Sequence, residues 1–186
     1  MTTTNSTHTC PWWLLPTFDN PLRRLIHPAE MILAPFVKSG DVVLEPGCGM
    51  GYFTMAMAHL VGETGKVIAV DVQSKMLEGL ERRARRTGIE TRIQAHLCLA
   101  ESLGIEGPVD FALAFWMVHE VPNRQRFLTD IHHALRPGAA LLVVEPRLHV
   151  SKRNFDRTLE IGRTLGFRLE EGPHVRLSRS AILRKP

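Results

Sequence analysis

From residue 41 onward, apolar runs of about five residues alternate with segments whose apolar positions recur at helical spacing. The first run, DVVLEP at 41–46, ends in a proline and a cluster of glycines. A helix is predicted over 51–61, with Phe53, Met57 and Leu60 on one side. KVIAVD at 66–71 reads as the second strand. A helix capped by Ser74 follows, carries Met76, Leu77, Leu80 and Ala84, and ends at Gly88. A third strand is expected within 91–98 and a fourth, VDFALAFW, at 109–116. The next helix, 123–135, turns Phe127, Leu128, Ile131 and Leu135 inward, and Arg136-Pro137-Gly138 stops it. Strand five is AALLVVE at 139–145. Ser151 caps a helix carrying Phe155, Leu159 and Gly162, which stops at Gly166, and two last strands occupy 167–171 and 175–183.

Several of these runs are apolar throughout, as in parallel strands covered on both faces. Alternating strands and helices predict an α/β fold with a Rossmann-like, doubly wound sheet. The two final strands are joined by too few residues for a helical crossover, so they are expected to be antiparallel. Residues 1–9 are polar and predict a disordered start. Residues 10–40 hold Pro11, Pro16, Pro21, Pro28 and Pro35, which restrict them to short helical pieces and turns.

Composition narrows the picture only a little. With 186 residues, 44% hydrophobic and 23% charged, one ordinary domain with its own core is expected. The formal net charge of +4 is a mild basic excess, too small to imply a nucleic-acid partner. Its densest cluster, Arg82, Arg83, Arg85 and Arg86, reads as a solvated helix face, with an RNA- or phosphate-contacting patch as the alternative. Cys10, Cys48 and Cys98 form neither a disulfide framework nor a metal-type spacing, so no metal site is expected. The cluster Cys10-Pro11-Trp12-Trp13 leaves open a thiol acting on a metalloid or thiol substrate. No leader peptide or membrane-length apolar run is evident, which gives a cytoplasmic expectation.

Candidate chemistry concentrates in Glu45-Pro46-Gly47-Cys48-Gly49-Met50-Gly51, between a strand and a helix. A dinucleotide fingerprint starting at Gly47 needs glycine at position 52, which is Tyr52. One starting at Gly49 needs it at 54, which is Thr54. A nicotinamide oxidoreductase is therefore disfavoured. Glu45 would repel a pyrophosphate but attract a ligand ammonium. Asp71, at the end of the next strand, stands where ribose hydroxyls find their acceptor. A ligand with a ribose and a cationic amine but no phosphate is implied, and S-adenosylmethionine meets that description.

VLEPGCGMGYF, VIAVD, AFWMVHEV and LRPGAALLVVEP together resemble the class I S-adenosylmethionine-dependent methyltransferases, nearest to their small-molecule "type 11" branch with its quinone-biosynthesis methylases. The resemblance covers about residues 40–185. It implies a mostly parallel seven-stranded sheet of order 3-2-1-4-5-7-6 with strand 7 antiparallel. It places Glu45, Gly47, Cys48, Gly49 and Gly51 around the methionine moiety, Asp71 at the ribose, and Val72, Gln73, Met76, Ala100 and Glu101 near the adenosine. Ala114, Phe115 and Trp116 fall beneath the transferable methyl. Where the family pattern reads Gly-Asp-Ala-Glu, this chain reads Cys98-Leu99-Ala100-Glu101, so adenine recognition shifts to Glu101, Ser102 or backbone groups.

His119 and Glu120 follow strand 4 and are the candidate catalytic residues, as a general base or a polar wall facing the acceptor. Alternatively His119 hydrogen-bonds its own loop. Glu145 either shapes the acceptor pocket or pairs with a neighbour such as Arg147. His132 and His133 read as surface residues. The implied activity is methyl transfer to a small-molecule acceptor, leaving S-adenosylhomocysteine. A cofactor-binding module without turnover, and an RNA or protein methyltransferase, are the alternatives. Monomer and homodimer both suit such a domain. Trp12, Trp13, Leu14, Leu15 and Phe18, then Met31, Ile32, Leu33, Phe36 and Val37, are too apolar for a tail. Residues 1–40 are therefore expected to be a tail and helical lid before a methyltransferase domain at 41–186, with packing against the sheet edge as the other reading.

Overall fold

The computed structural model describes residues 25–186. Cys10, Trp12, Trp13 and Phe18 lie outside them. Seven strands form one sheet of order β3-β2-β1-β4-β5-β7-β6. They are β1 Val42–Pro46, β2 Lys66–Asp71, β3 Ile93–Leu97, β4 Val109–Phe115, β5 Leu135–Pro146, β6 Arg168–Glu171 and β7 Ser178–Arg184. β1 through β5 pair in parallel, and β7 runs antiparallel to both β5 and β6. The predicted topology and its antiparallel final pair are therefore observed.

Among the described residues, five α-helices cover the sheet: α1 Ala29–Leu33, α2 Tyr52–Leu60, α3 Ser74–Thr87, α4 Arg124–Ala134 and α5 Lys152–Thr164. The alternation of β4 explains the two layers. Phe111, Leu113 and Phe115 join the core beneath α1, α2 and α3. Val109, Ala112 and Ala114 join the one beneath α4 and α5. Both faces are dry, so the strand reads as a continuous apolar run despite its period of two. Ile32, Leu33 and Val37 are buried in the first of these cores, so this part of the expected lid segment is built into the domain, while Met31 stays exposed.

Several local expectations need correction. Ser74 is the first residue of α3 and makes no cap; Gln73 holds the N-cap position without a side-chain hydrogen bond. Asn123 and Ser151 do cap α4 and α5, accepting from the N–H groups of Arg126 and Asn154. Arg136-Pro137-Gly138 does not separate helix from strand. β5 already begins at Leu135, opposite Val109, and resumes pairing at Ala140, opposite Phe111. Residues 136–139 form a bulge opposite Asp110, tied down by the Arg136–Asp110 ion pair. The last strand begins at Ser178, because Leu177 adopts φ of 60° and breaks the extended run. His132 is half-buried rather than a plain surface residue: its ring stands edge-on to Phe167 at 4.8 Å. Burial there and the nearby Lys185 hold its pKa below the usual histidine value.

Candidate functional site

Strand order reverses between β1 and β4, and in open α/β sheets the crevice beyond the carboxyl ends at that point receives ligands. A cavity of about 960 Å³ opens there. That lies at the upper end of the range for small-molecule sites and leaves room for two bound molecules.

The glycine loop forms one wall. Gly49, at φ of 55°, has open space where a Cβ would stand, and its N–H donates to Asp71 Oδ2 at 3.0 Å. Gly47 lines the same wall, against Met117. Gly51 does not line the cavity. Its φ is 85°, and a Cβ on it would lie 2.3 Å from Leu80 Cδ1, so this glycine lets α2 start close against α3. Glu45 is 4% exposed, not solvated, and accepts a short hydrogen bond from the Thr54 hydroxyl of α2. The residue lines the cavity.

Asp71, buried at the end of β2, also accepts from the Gln73 N–H at 2.9 Å. Burial pushes its carboxyl above the ordinary aspartate value, and the N–H donors of Gln73 and Gly49 oppose that rise. Val72, Gln73 and Met76 line the cavity beside it, with Ala100 and Glu101 across from β3. Leu99 lines the same region with 72% of its surface exposed. Cys48 is buried in the loop, and desolvation, then Glu45 and Asp71, raise its thiol well above the ordinary value. Cys98 is pushed up to about 11 by desolvation and then by Asp71. Neither thiol is poised as a nucleophile.

The far end of the cavity carries Phe115, Trp116, His119 and Glu120, while Ala114 is buried in the opposite core. Glu145 overturns the expected pairing with Arg147. Only 2% exposed, it accepts from the Val118 N–H at 2.9 Å and from His119 Nδ1 at 2.7 Å. Arg147 Nε instead donates to the Ser178 carbonyl at 2.8 Å. The hydrogen bond to Glu145 raises the His119 pKa, and partial burial opposes it. His119 Nε2 lies 3.9 Å from Glu120 Oε1, too far for a hydrogen bond. Leu148 and Leu177, 88% and 52% exposed, give this end an apolar rim.

Two contributors, His27 and Asp130, had no signal in the chain, while Trp116, expected beneath the methyl, takes a backbone conformation the sequence did not indicate. His27, 2% exposed, packs edge-on against Phe115 and Trp116, at 5.1 and 4.9 Å. Its carbonyl accepts from the Tyr52 hydroxyl at 2.7 Å. Trp116 adopts φ of 58°, and its indole N–H donates to Ser178 Oγ at 2.9 Å. Asp130 of α4 accepts from the Leu103 N–H at 3.0 Å and the Ser102 hydroxyl at 3.3 Å, pinning the loop after β3. Its i,i+4 spacing to Arg126 marked only a helix-surface pair. Arg82 and Arg85 pair with Glu78 and Glu81 on α3, as a solvated helix face would. Among the described residues no cluster could hold a metal ion, and no helix is long and apolar enough to cross a membrane.

Residues 37–165 match the family model described as "Methyltransferase domain". The chain is 31% identical over 110 residues to a ubiquinone/menaquinone biosynthesis C-methyltransferase of Haemophilus ducreyi, covering 59% of this chain and 42% of that protein. A counterpart from Hydrogenovibrio crunogenus is 30% identical, with 59% and 43% covered. The match thus spans less than half the length of these relatives. Among solved structures, a SAM-dependent methyltransferase from Aquifex aeolicus superposes with a TM-score of 0.82 at 22% identity, covering 94% of this chain and 98% of that one.

Proposed function

The chain belongs to the methyltransferase-domain family, and from that premise we propose that it transfers the methyl group of S-adenosylmethionine to a small apolar acceptor. The observation that carries this reading is the pairing of two buried carboxylates, Glu45 and Asp71, across a glycine loop with open space at Gly49. The residues present suit that ligand. Asp71 would accept from the ribose hydroxyls, and Glu45 would face the ammonium. Val72 and Leu99, both exposed and apolar, would flank the adenine, with Glu101 and the backbone of Ala100 as its polar partners. Leu99 offers no carboxylate to the adenine amino group, and backbone groups of the loop pinned by Asp130 would serve in its place.

The bound sulfonium supplies an already activated methyl, so the protein's task is alignment, exclusion of water and proton removal. Phe115 and Trp116 would carry the acceptor against the methyl, with His119 and Glu120 as the polar groups nearest to it. The exposed Leu148 and Leu177 favour an apolar acceptor, in keeping with the quinone-biosynthesis branch. Calorimetry tests the reading directly. Purified protein is expected to bind S-adenosylmethionine or S-adenosylhomocysteine at micromolar levels, about −8 kcal/mol. Binding of neither, with clear binding of a nicotinamide dinucleotide, would overturn it.

A further inference from the structure

Glu145 sits at the end of β5, and a buried carboxylate is costly unless its oxygens are satisfied. Both are: one accepts from the Val118 N–H, the other meets His119 Nδ1 at 2.7 Å. A carboxylate has no proton to give, so Nδ1 is the donor. Neutral His119 is thereby held with its lone pair on Nε2, and the residue lines the acceptor end of the cavity.

We propose that Glu145 is a positioning residue that sets His119 as general base for a phenol-type hydroxyl, the oxygen that receives the methyl. This rests on the methyltransferase reading above. A thiolate or an amine with a free lone pair needs no base against a sulfonium; a hydroxyl does. An aliphatic hydroxyl is nearly as weak an acid as water, with a pKa of about 16. A phenol, at about 10, lies within reach of an imidazole. The walls suit an aromatic ring: Phe115, Trp116 and the Met117 thioether line this end. In the step, the acceptor oxygen bonds to the methyl carbon and the carbon–sulfur bond breaks with its electron pair going to sulfur. The hydroxyl proton passes to His119 Nε2. The products are a methyl ether, neutral S-adenosylhomocysteine and an imidazolium held by Glu145.

The charged groups acting on His119 are Glu145 from β5, Glu120 from its own turn and Arg124 from the start of α4. His149 also lines this cavity. Glu145 is the strongest of the groups acting on it and raises its pKa.

Two measurements test the proposal on the full chain. The first needs no acceptor. Nitrogen NMR of His119 in protein saturated with S-adenosylhomocysteine should show the Nδ1–H tautomer in wild type, and Glu145→Gln should admit the other tautomer. The second uses labelled S-adenosylmethionine with catechol, 4-hydroxybenzoate and 1-naphthol as probes. Their fully O-methylated counterparts and matched thiol and amine probes serve as controls. Label should enter the phenols at oxygen only. His119→Gln should lower kcat roughly 100-fold, and Glu145→Gln by about tenfold or more, with KM for S-adenosylmethionine unchanged. The acid limb of kcat should move to lower pH in Glu145→Gln, and Glu145→Asp should recover part of the loss. A folded Glu145→Gln protein with unchanged kcat and pH profile overturns the positioning role, as does an Nε2–H tautomer in wild type. Label on carbon, sulfur or nitrogen, or on no probe while the cofactor binds, overturns the phenol assignment. Loss of cofactor binding itself in wild type would instead overturn the underlying reading.

Discussion

Asp71 joins three links of the chain of causes: it ends a strand, anchors two loop N–H groups and faces the cavity. If it holds the ribose, Asp71→Ala should weaken S-adenosylhomocysteine binding by roughly 1.5–3 kcal/mol, the scale of charged hydrogen bonds. Calorimetry beside circular dichroism separates this from unfolding. Burial raises its pKa, so it takes up a proton at a higher pH than an exposed aspartate. The ionised form is a net cost to the fold that is relieved as pH falls through the raised value. Cofactor affinity should move the opposite way, weakening as pH falls through that raised value, and Asp71→Asn should flatten that profile. His119 has a raised pKa as well, with the sign of a base. Its pairing with Glu145 stabilises the fold fully below the unfolded value of about 6.5, and that contribution is lost as pH rises through the folded value. Urea denaturation should therefore find a wider stability gap between wild type and His119→Gln at about pH 5.5 than at about pH 9. An equal gap at both pH values would show that the pair is not ionic in the folded state.

The turn from β1 into α2 shows how an element is fixed by one residue. Gly51 holds φ of 85° and leaves no room for a Cβ beside Leu80, which is fully buried. Gly51→Ala should cost about 1–3 kcal/mol from backbone strain, and more if Leu80 cannot yield. Cofactor affinity should drop with it, because the loop carrying Gly49 shifts; a denaturation midpoint unchanged from wild type would refute this. The same element shows what the chain made legible. The glycine spacing and its acid located the wall of the cavity, and apolar runs located β1, β2, β4 and β5, because both are local patterns, while β3 (IQAHL) and β6 (RLEE) carry no such run. Glycines alone did not reveal that the third one serves helix packing, since that depends on Leu80 in a different helix. Nor could local pattern pair Glu145 with His119. Its partner lies across a strand crossover, while Arg147 lay two residues away. The bulge at Arg136-Pro137-Gly138 was misread for a related reason: proline and glycine mark a break, but only pairing with β4 shows that the break falls inside a strand. Leu177 and Trp116, both with positive φ, end strands one to three residues away from where an apolar pattern would end them.

Across the whole molecule, Leu148 and Leu177 stand exposed at the rim of the cavity. The described chain begins beside that cavity. His27 is clamped between Phe115 and Trp116, its Nε2 meets the Arg176 carbonyl at 2.9 Å, and its own carbonyl is held by Tyr52. Phe115, Trp116 and Tyr52 all line the cavity. The sequence before residue 25 includes Trp12, Trp13, Leu14, Leu15 and Phe18. We propose that this apolar stretch closes over bound cofactor and acceptor and keeps water from the sulfonium. α1 already belongs to the core, so a chain beginning at residue 25 should fold, with a thermal midpoint within a few degrees of wild type (about 1 kcal/mol or less). It should still bind S-adenosylhomocysteine, because Glu45 and Asp71 remain. Its turnover should fall by at least about tenfold, since the reacting groups would stay wet. Removal of residues 1–9 alone should change little. In the full chain, cofactor binding should alter tryptophan emission, and replacing Trp12 and Trp13 with Phe should remove most of the change. Trp116→Phe is the control, because that indole lines the cavity itself. A signal that vanishes only with Trp116→Phe, together with full turnover from a chain beginning at residue 25, would leave the closure to some other part of the molecule.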